Sequence, residues 1–206
     1  MDILKKTSLL LFISLAFFSL NAQDFEKQMK AFETSYAAEA KGEYAIAIQA
    51  VSGIYRADSY EINIRLGWLY YVSGRFSDAL PYYQKSIELM PMSIEARLGY
   101  VNPAAALGNW AQVEKQYQDI LKIDPMNTTA NYRMGLISYG REDFPTALKY
   151  FSKVLNLYPF DYDTAIMVAW SQLKSGKLRE AKVMFQKALM IKPGDSSALE
   201  GLSMIR

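Results

Sequence analysis

Histidine and cysteine are both absent from the 206 residues. Their absence removes Ser-His-Asp and Cys-His nucleophilic arrangements, and every zinc site built on nitrogen or sulfur ligands. It also removes disulfides and acylation at a lipoprotein cysteine, so an exported form of this chain must be held together by packing alone. An excess of one charge is lacking too. Lys and Arg total 23 and Asp and Glu 21, for a net charge of +2 with no basic run, which argues against a nucleic-acid partner. No glycine-rich phosphate loop is present. Carboxylate-only chemistry comes down to Asp161 and Asp163, at an expected helix start where capping and the helix dipole account for them. Asn127-Thr128-Thr129 matches a glycosylation sequon, but Asn127 also falls at a helix start and reads as a cap. The expectation is a non-enzymatic chain with no cofactor and no metal.

What is abundant is periodic. Pro91, Pro125, Pro159 and Pro193 are each 34 residues apart. Gly74, Gly108 and Gly176 lie 17 residues before their prolines. Ala79, Val113, Ala147 and Ala181 lie 12 before, and Tyr83, Tyr117, Phe151 and Phe185 lie 8 before. A 34-residue period with small, aromatic and proline positions in this order marks stacked helix–turn–helix units. The chain resembles the tetratricopeptide repeat (TPR) family, over about residues 28–206. The resemblance implies an all-α, right-handed TPR solenoid of five helix–turn–helix repeats, the first degenerate, plus a C-terminal capping helix.

Counting from the prolines gives four repeats at 60–93, 94–127, 128–161 and 162–195, each with a first helix (A), a turn and a second helix (B). The degenerate repeat lies in 23–59, where Gly42, Tyr44 and Ala47 take the parts of Gly74, Phe76 and Ala79. Residues 196–206 form the cap, with Ala198, Leu199, Leu202 and Ile205 on the packed face. Ser93, Asn127, Asp161 and Asp195 precede A helices and suit N-caps, because a short side-chain oxygen accepts the orphan backbone N–H groups. Each proline stops the helix before it. Gly67, Gly135 and Ala169 share one small position. Repeat 94–127 departs from the pattern, with Val101 and Val113 at small positions and Pro103 inside its A helix. Leu98-Gly99 looks like Leu66-Gly67 moved two residues earlier, so two registers stay open there. Pro103 reads as a kink or as a shaped binding feature.

Residues 1–22 read as a secretory signal peptide. Lys5 and Lys6 supply the charged start, Thr7 to Leu20 the apolar stretch, and Leu20-Asn21-Ala22 a cleavage site. The apolar stretch is short of the about 20 residues that span a bilayer. The expected location is the periplasm of a bacterial cell, without a lipid anchor.

Aromatic residues make up 14% of the chain, with 15 tyrosines. Tyr44, Phe76, Trp110 and Phe144 share one repeat position, and Tyr83, Tyr117, Phe151 and Phe185 another. Both are packing positions in the family, so core is the expectation for them. The A helices line the concave groove in TPR proteins. The resemblance maps that groove onto Tyr36, Trp68, Tyr71, Tyr132, Tyr139 and Trp170, with Glu61, Ile64, Leu136, Ile166 and Leu173 beside them. Repeat 94–127 adds Leu98 and Asn102, or Tyr100 in the shifted register. The subclass that clamps C-terminal carboxylates is set aside, because Arg65 and Arg133 alone do not rebuild its cationic grip. The expected function is a protein–protein interaction adaptor holding a peptide segment or envelope protein in an aromatic groove. Two other readings remain: a self-associating scaffold of a cell-envelope complex, and a peptidoglycan- or sugar-binding module.

Overall fold

The structure is a computed structural model and describes residues 24–205; the leader expected at 1–22 lies outside the described residues. Two compact units form, meeting in sequence between Gly108 and Asn109. That boundary falls inside repeat 94–127, in the turn between its two helices. Among the described residues all regular structure is helical.

The first unit holds five helices: α1 (24–39), α2 (Tyr44–Ser52), α3 (Tyr60–Val72), α4 (Phe76–Leu89) and α5 (Ile94–Ala106). Helix α3 packs on α2, α4 and α5. It is therefore apolar on more than one side, burying Ile62, Leu66, Gly67 and Leu69. Helix α4 keeps one buried stripe, Ala79, Tyr83, Ser86 and Ile87. The core joins Ala38 of α1, Ala47, Ile48 and Val51 of α2, and Ile62, Leu66 and Leu69 of α3.

The second unit holds α6 (Trp110–Ile123), α7 (Thr128–Gly140), α8 (Phe144–Leu157), α9 (Tyr162–Lys174), α10 (Leu178–Ile191) and α11 (Ser196–Ser203). Each of these helices packs on the next, from α6·α7 through α10·α11. The aromatic rings of Phe151 and Phe185 are fully buried, against Val168 and against Ala169 and Ala198 respectively.

Local chemistry sets the helix starts. Ser59, Ser93, Asn127, Asp161 and Asp195 each accept a hydrogen bond from the backbone N–H three residues on. Such caps contribute about 1 kcal/mol each. A second device is absent from the sequence reading. Asn63 and Asn131, fully buried at the same repeat position, donate side-chain N–H groups to carbonyls of the preceding turn, at 2.7 Å to Ser59 and 3.0 Å to Pro125. The turns inside repeats need left-handed backbone. Gly42, Gly74, Gly108 and Gly176 supply it, and in repeat 128–161 Glu142 takes φ 61° instead.

One open reading is resolved and two expectations change. Helix α5 runs Ile94–Ala106 without inserted residues, so the shifted register is not adopted. Gly99 has its own role: a Cβ there would lie 2.1 Å from Cε1 of Tyr83. Pro103 sits inside the helix as a fully buried apolar side chain. The carbonyl that its ring crowds, four residues back, belongs to that same Gly99. Trp110 is not core, being 61% exposed at the start of α6. In the terminal helix, Leu199 is exposed, and the packed face is Ala198, Gly201, Leu202 and Ile205. Gly201 lets the Phe185 ring approach the backbone, as Gly99 does for Tyr83.

Candidate functional site

In the first unit, four helices line one concavity of about 620 Å³. Helix α3 contributes Glu61, Ile64 and Trp68, and α5 contributes Glu95, Leu98 and Asn102. Both sets have the spacing i, i+3, i+7, which puts three side chains on one helical face. Phe32 and Tyr36 of α1 close one side, and Tyr83 and Gly99 also border the space. Tyr36 is 57% exposed and Trp68 40%.

A buried ion pair organises this wall. Arg65 is 5% exposed, and its guanidinium pairs with Glu39 and donates to Ser35 Oγ at 3.1 Å. The ring of Tyr36 covers the same guanidinium, 3.9 Å from its centroid. Glu39 also accepts the indole N–H of Trp68. One carboxylate thus fixes both the cation and the tryptophan. Tyr71 does not line the concavity; its ring leans on Trp68 at 5.9 Å and on Phe76 at 5.9 Å. Nε and Nη1 of Arg65 are taken up by these contacts, while its Nη2 is buried without a hydrogen-bond partner.

At the rim, the Tyr60 hydroxyl donates to Glu95 at 2.8 Å and meets Ser93 Oγ at 2.8 Å. Burial pushes the Tyr60 phenol above its ordinary pKa. Burial likewise raises Tyr83 and Tyr100. These phenols are neutral hydrogen-bonding groups at pH 7, not bases.

The second unit brings its predicted residues together less. Tyr132, Tyr139 and Trp170 are half-buried and pack edge-on against B-helix rings: Phe151 at 5.7 Å, Phe144 at 5.3 Å and Phe185 at 5.2 Å. Trp170 donates its indole N–H to Ser197 Oγ at 2.8 Å, and Ile166 is buried. Only Tyr132 of these three lines the concavity of about 830 Å³ in this unit, with Tyr158, Phe160 and Thr164. Trp68 and Trp170 occupy equivalent repeat positions but do not do the same thing. The first is tied back to α1, the second forward to α11.

Sequence reasoning missed Tyr60, Glu95, Phe32, Tyr158 and Phe160. Phe160 did carry a signal. It is a large apolar residue that follows the periodic proline in a turn, as Met92 and Met126 do; the three are 70%, 70% and 45% exposed. Among the described residues, no group of three or more Asp or Glu could hold a metal ion, and no helix is long and apolar enough to cross a membrane.

Residues 60–93, 129–161 and 162–195 each match the tetratricopeptide repeat family. This is a tetratricopeptide repeat protein. The TPR repeat-containing protein YpiA of Bacillus subtilis is 28% identical over 167 residues, covering 79% of this chain and 39% of its own. The human protein O-mannosyl-transferase TMTC1 is 28% identical over 149 residues, covering 69% of this chain and 17% of its own. The chain therefore spans well under half the length of these relatives. Many solved structures share the fold. MamA superposes with a TM-score of 0.70 at 20% identity, covering 81% of this chain and 92% of its own. A tetratricopeptide repeat protein from Parabacteroides merdae gives 0.73 at 19% identity, covering 86% and 72%. A TPR fold of this kind serves protein–protein interaction in general.

Proposed function

We propose that this TPR protein is a non-enzymatic adaptor that holds a peptide segment of a protein partner in the concavity of its first unit. The observation that carries the reading is the convergence of Tyr36, Glu61, Ile64, Trp68, Leu98 and Asn102 on one space. Exposed Tyr and Trp on a rigid helical wall are typical interface anchors, because they bury large area at little entropic cost. Trp68 is held in place by Glu39 before any partner arrives, which lowers the cost of binding. In the second unit, Tyr132 is the groove candidate, while Tyr139 and Trp170 stiffen the A–B pairs. The leader-like residues 1–22 support a periplasmic setting and an envelope partner.

A photoreactive phenylalanine analogue placed at Tyr36 tests this in cells. The expected product is an adduct with a second protein, absent when the analogue replaces Val183, which is 62% exposed on α10. An adduct made only of two copies of this chain would favour the self-associating scaffold. No adduct from Tyr36 would remove the groove reading. Osmotic-shock fractionation of the same cells should release the protein with the periplasmic contents; recovery with the cytoplasm would overturn that location.

A further inference from the structure

The same concavity also carries a charge pattern that selects its occupant. We infer that it takes an extended segment presenting an arginine or lysine side chain, with the cation placed between Trp68 and the carboxylates of Glu61 and Glu95. This rests on the groove reading above and specifies the chemistry of the partner.

Four charged groups stand in or beside the concavity: Arg65, Glu39, Glu61 and Glu95. Arg65 and Glu39 neutralise each other in a pair that is largely withdrawn from water. Glu61 and Glu95 remain, both exposed and one repeat apart on adjacent A helices. Neither has a cation within ion-pair distance among the described residues. Each is held by a single hydroxyl, Ser59 Oγ at 3.0 Å for Glu61 and Tyr60 at 2.8 Å for Glu95. Those bonds orient the carboxylates and leave most of their acceptor positions unused.

A glutamate in the first turn of a helix is favourable for the dipole alone. That accounts for each residue separately. It does not account for their convergence with exposed aromatic surface. Tyr36, Tyr60 and Trp68 border the same space as the two carboxylates. An aromatic face attracts a cation, and a carboxylate beside it adds a charge-assisted hydrogen bond. Arginine fits best, because its planar group stacks and bonds in one pose. An acidic tail would meet two uncompensated like charges and is disfavoured.

The test is selection of a short random-peptide library on the full chain, followed by titration of the synthetic winners. Winners should carry Arg or Lys. Exchanging that Arg for citrulline, which keeps the shape and removes the charge, should weaken binding about tenfold. Glu61→Gln with Glu95→Gln should do the same, and raising salt from about 50 mM to about 500 mM should weaken the parent complex but not the citrulline one. Trp68→Ala should remove binding, with circular dichroism checking that every variant is folded; Trp68→Phe, which keeps an aromatic face, should retain it in part. Winners that need Trp68 but carry no cation would overturn the charge assignment and leave the adaptor reading standing. Winners indifferent to Trp68, or none at all, would overturn both.

Discussion

The ring of Tyr83 lies so close to the backbone of Gly99 that a Cβ there would be 2.1 Å from Cε1. Tyr83 belongs to the B helix of one repeat and Gly99 to the A helix of the next. The same arrangement recurs between Phe185 and Gly201, also at 2.1 Å. Bare backbone at these two points lets an aromatic ring lock successive repeats.

Gly99→Ala is expected to destabilise the protein by about 2–3 kcal/mol, because Tyr83 is 2% exposed and its ring has nowhere to go. Gly140→Ala is the control. It is also helical but has nothing within 4 Å of the added methyl, so it should be neutral or stabilising by up to about 1 kcal/mol. Urea unfolding of the two variants separates packing from helix propensity. Equal effects would show that the Tyr83 contact is not restrictive.

Glu142 holds φ 61° where four other repeats place glycine. A left-handed non-glycine residue costs about 1–2 kcal/mol, part of which glycine returns as unfolded-state entropy. Glu142→Gly should therefore stabilise by about 1 kcal/mol. Glu142→Ala removes the same charge without the conformational relief and should gain nothing. A matching rise in both urea midpoints would assign the effect to charge instead.

Asp195 caps α11 and pairs with Lys192 at 3.1 Å. Its carboxyl is lowered from 3.8 to about 2, first by the Tyr162 hydroxyl, then by the Ala198 N–H and by Lys192. A depressed folded-state value means stability that is present above about pH 4 and lost as pH falls through about 2. Asp195→Asn keeps an oxygen to cap with but no charge. Its Tm should lie below the parent's at neutral pH, and the gap should close between about pH 4 and pH 2. A gap that persists at pH 2 would show that the charge is not what matters.

Much of this was legible along the chain because the information is local. The 34-residue spacing places a proline after each B helix and a short polar residue before each A helix. Those residues act on the backbone within one turn, so their effect survives without tertiary knowledge. The helices of the four repeats begin and end at equivalent numbers for that reason. The spacing of Glu61, Ile64 and Trp68, repeated in Glu95, Leu98 and Asn102, is equally local. A helix puts such residues on one face whatever surrounds it.

What the period could not carry is the difference between equivalent positions. Trp68 and Trp170 share a place in the repeat, yet one is exposed and tied to Glu39 while the other is half-buried and tied to Ser197. Their partners stand 29 residues before and 27 after, on helices whose approach depends on packing. Gly99 looked like a displaced copy of Gly67 until Tyr83 supplied the reason for its place. Sequence alone determined the repeat architecture, its caps and its turns, since each arises from backbone chemistry within a few residues. Tertiary structure decided which aromatics stay open and which carboxylates stay unpaired, because burial and charge pairing depend on side chains brought together from separate helices.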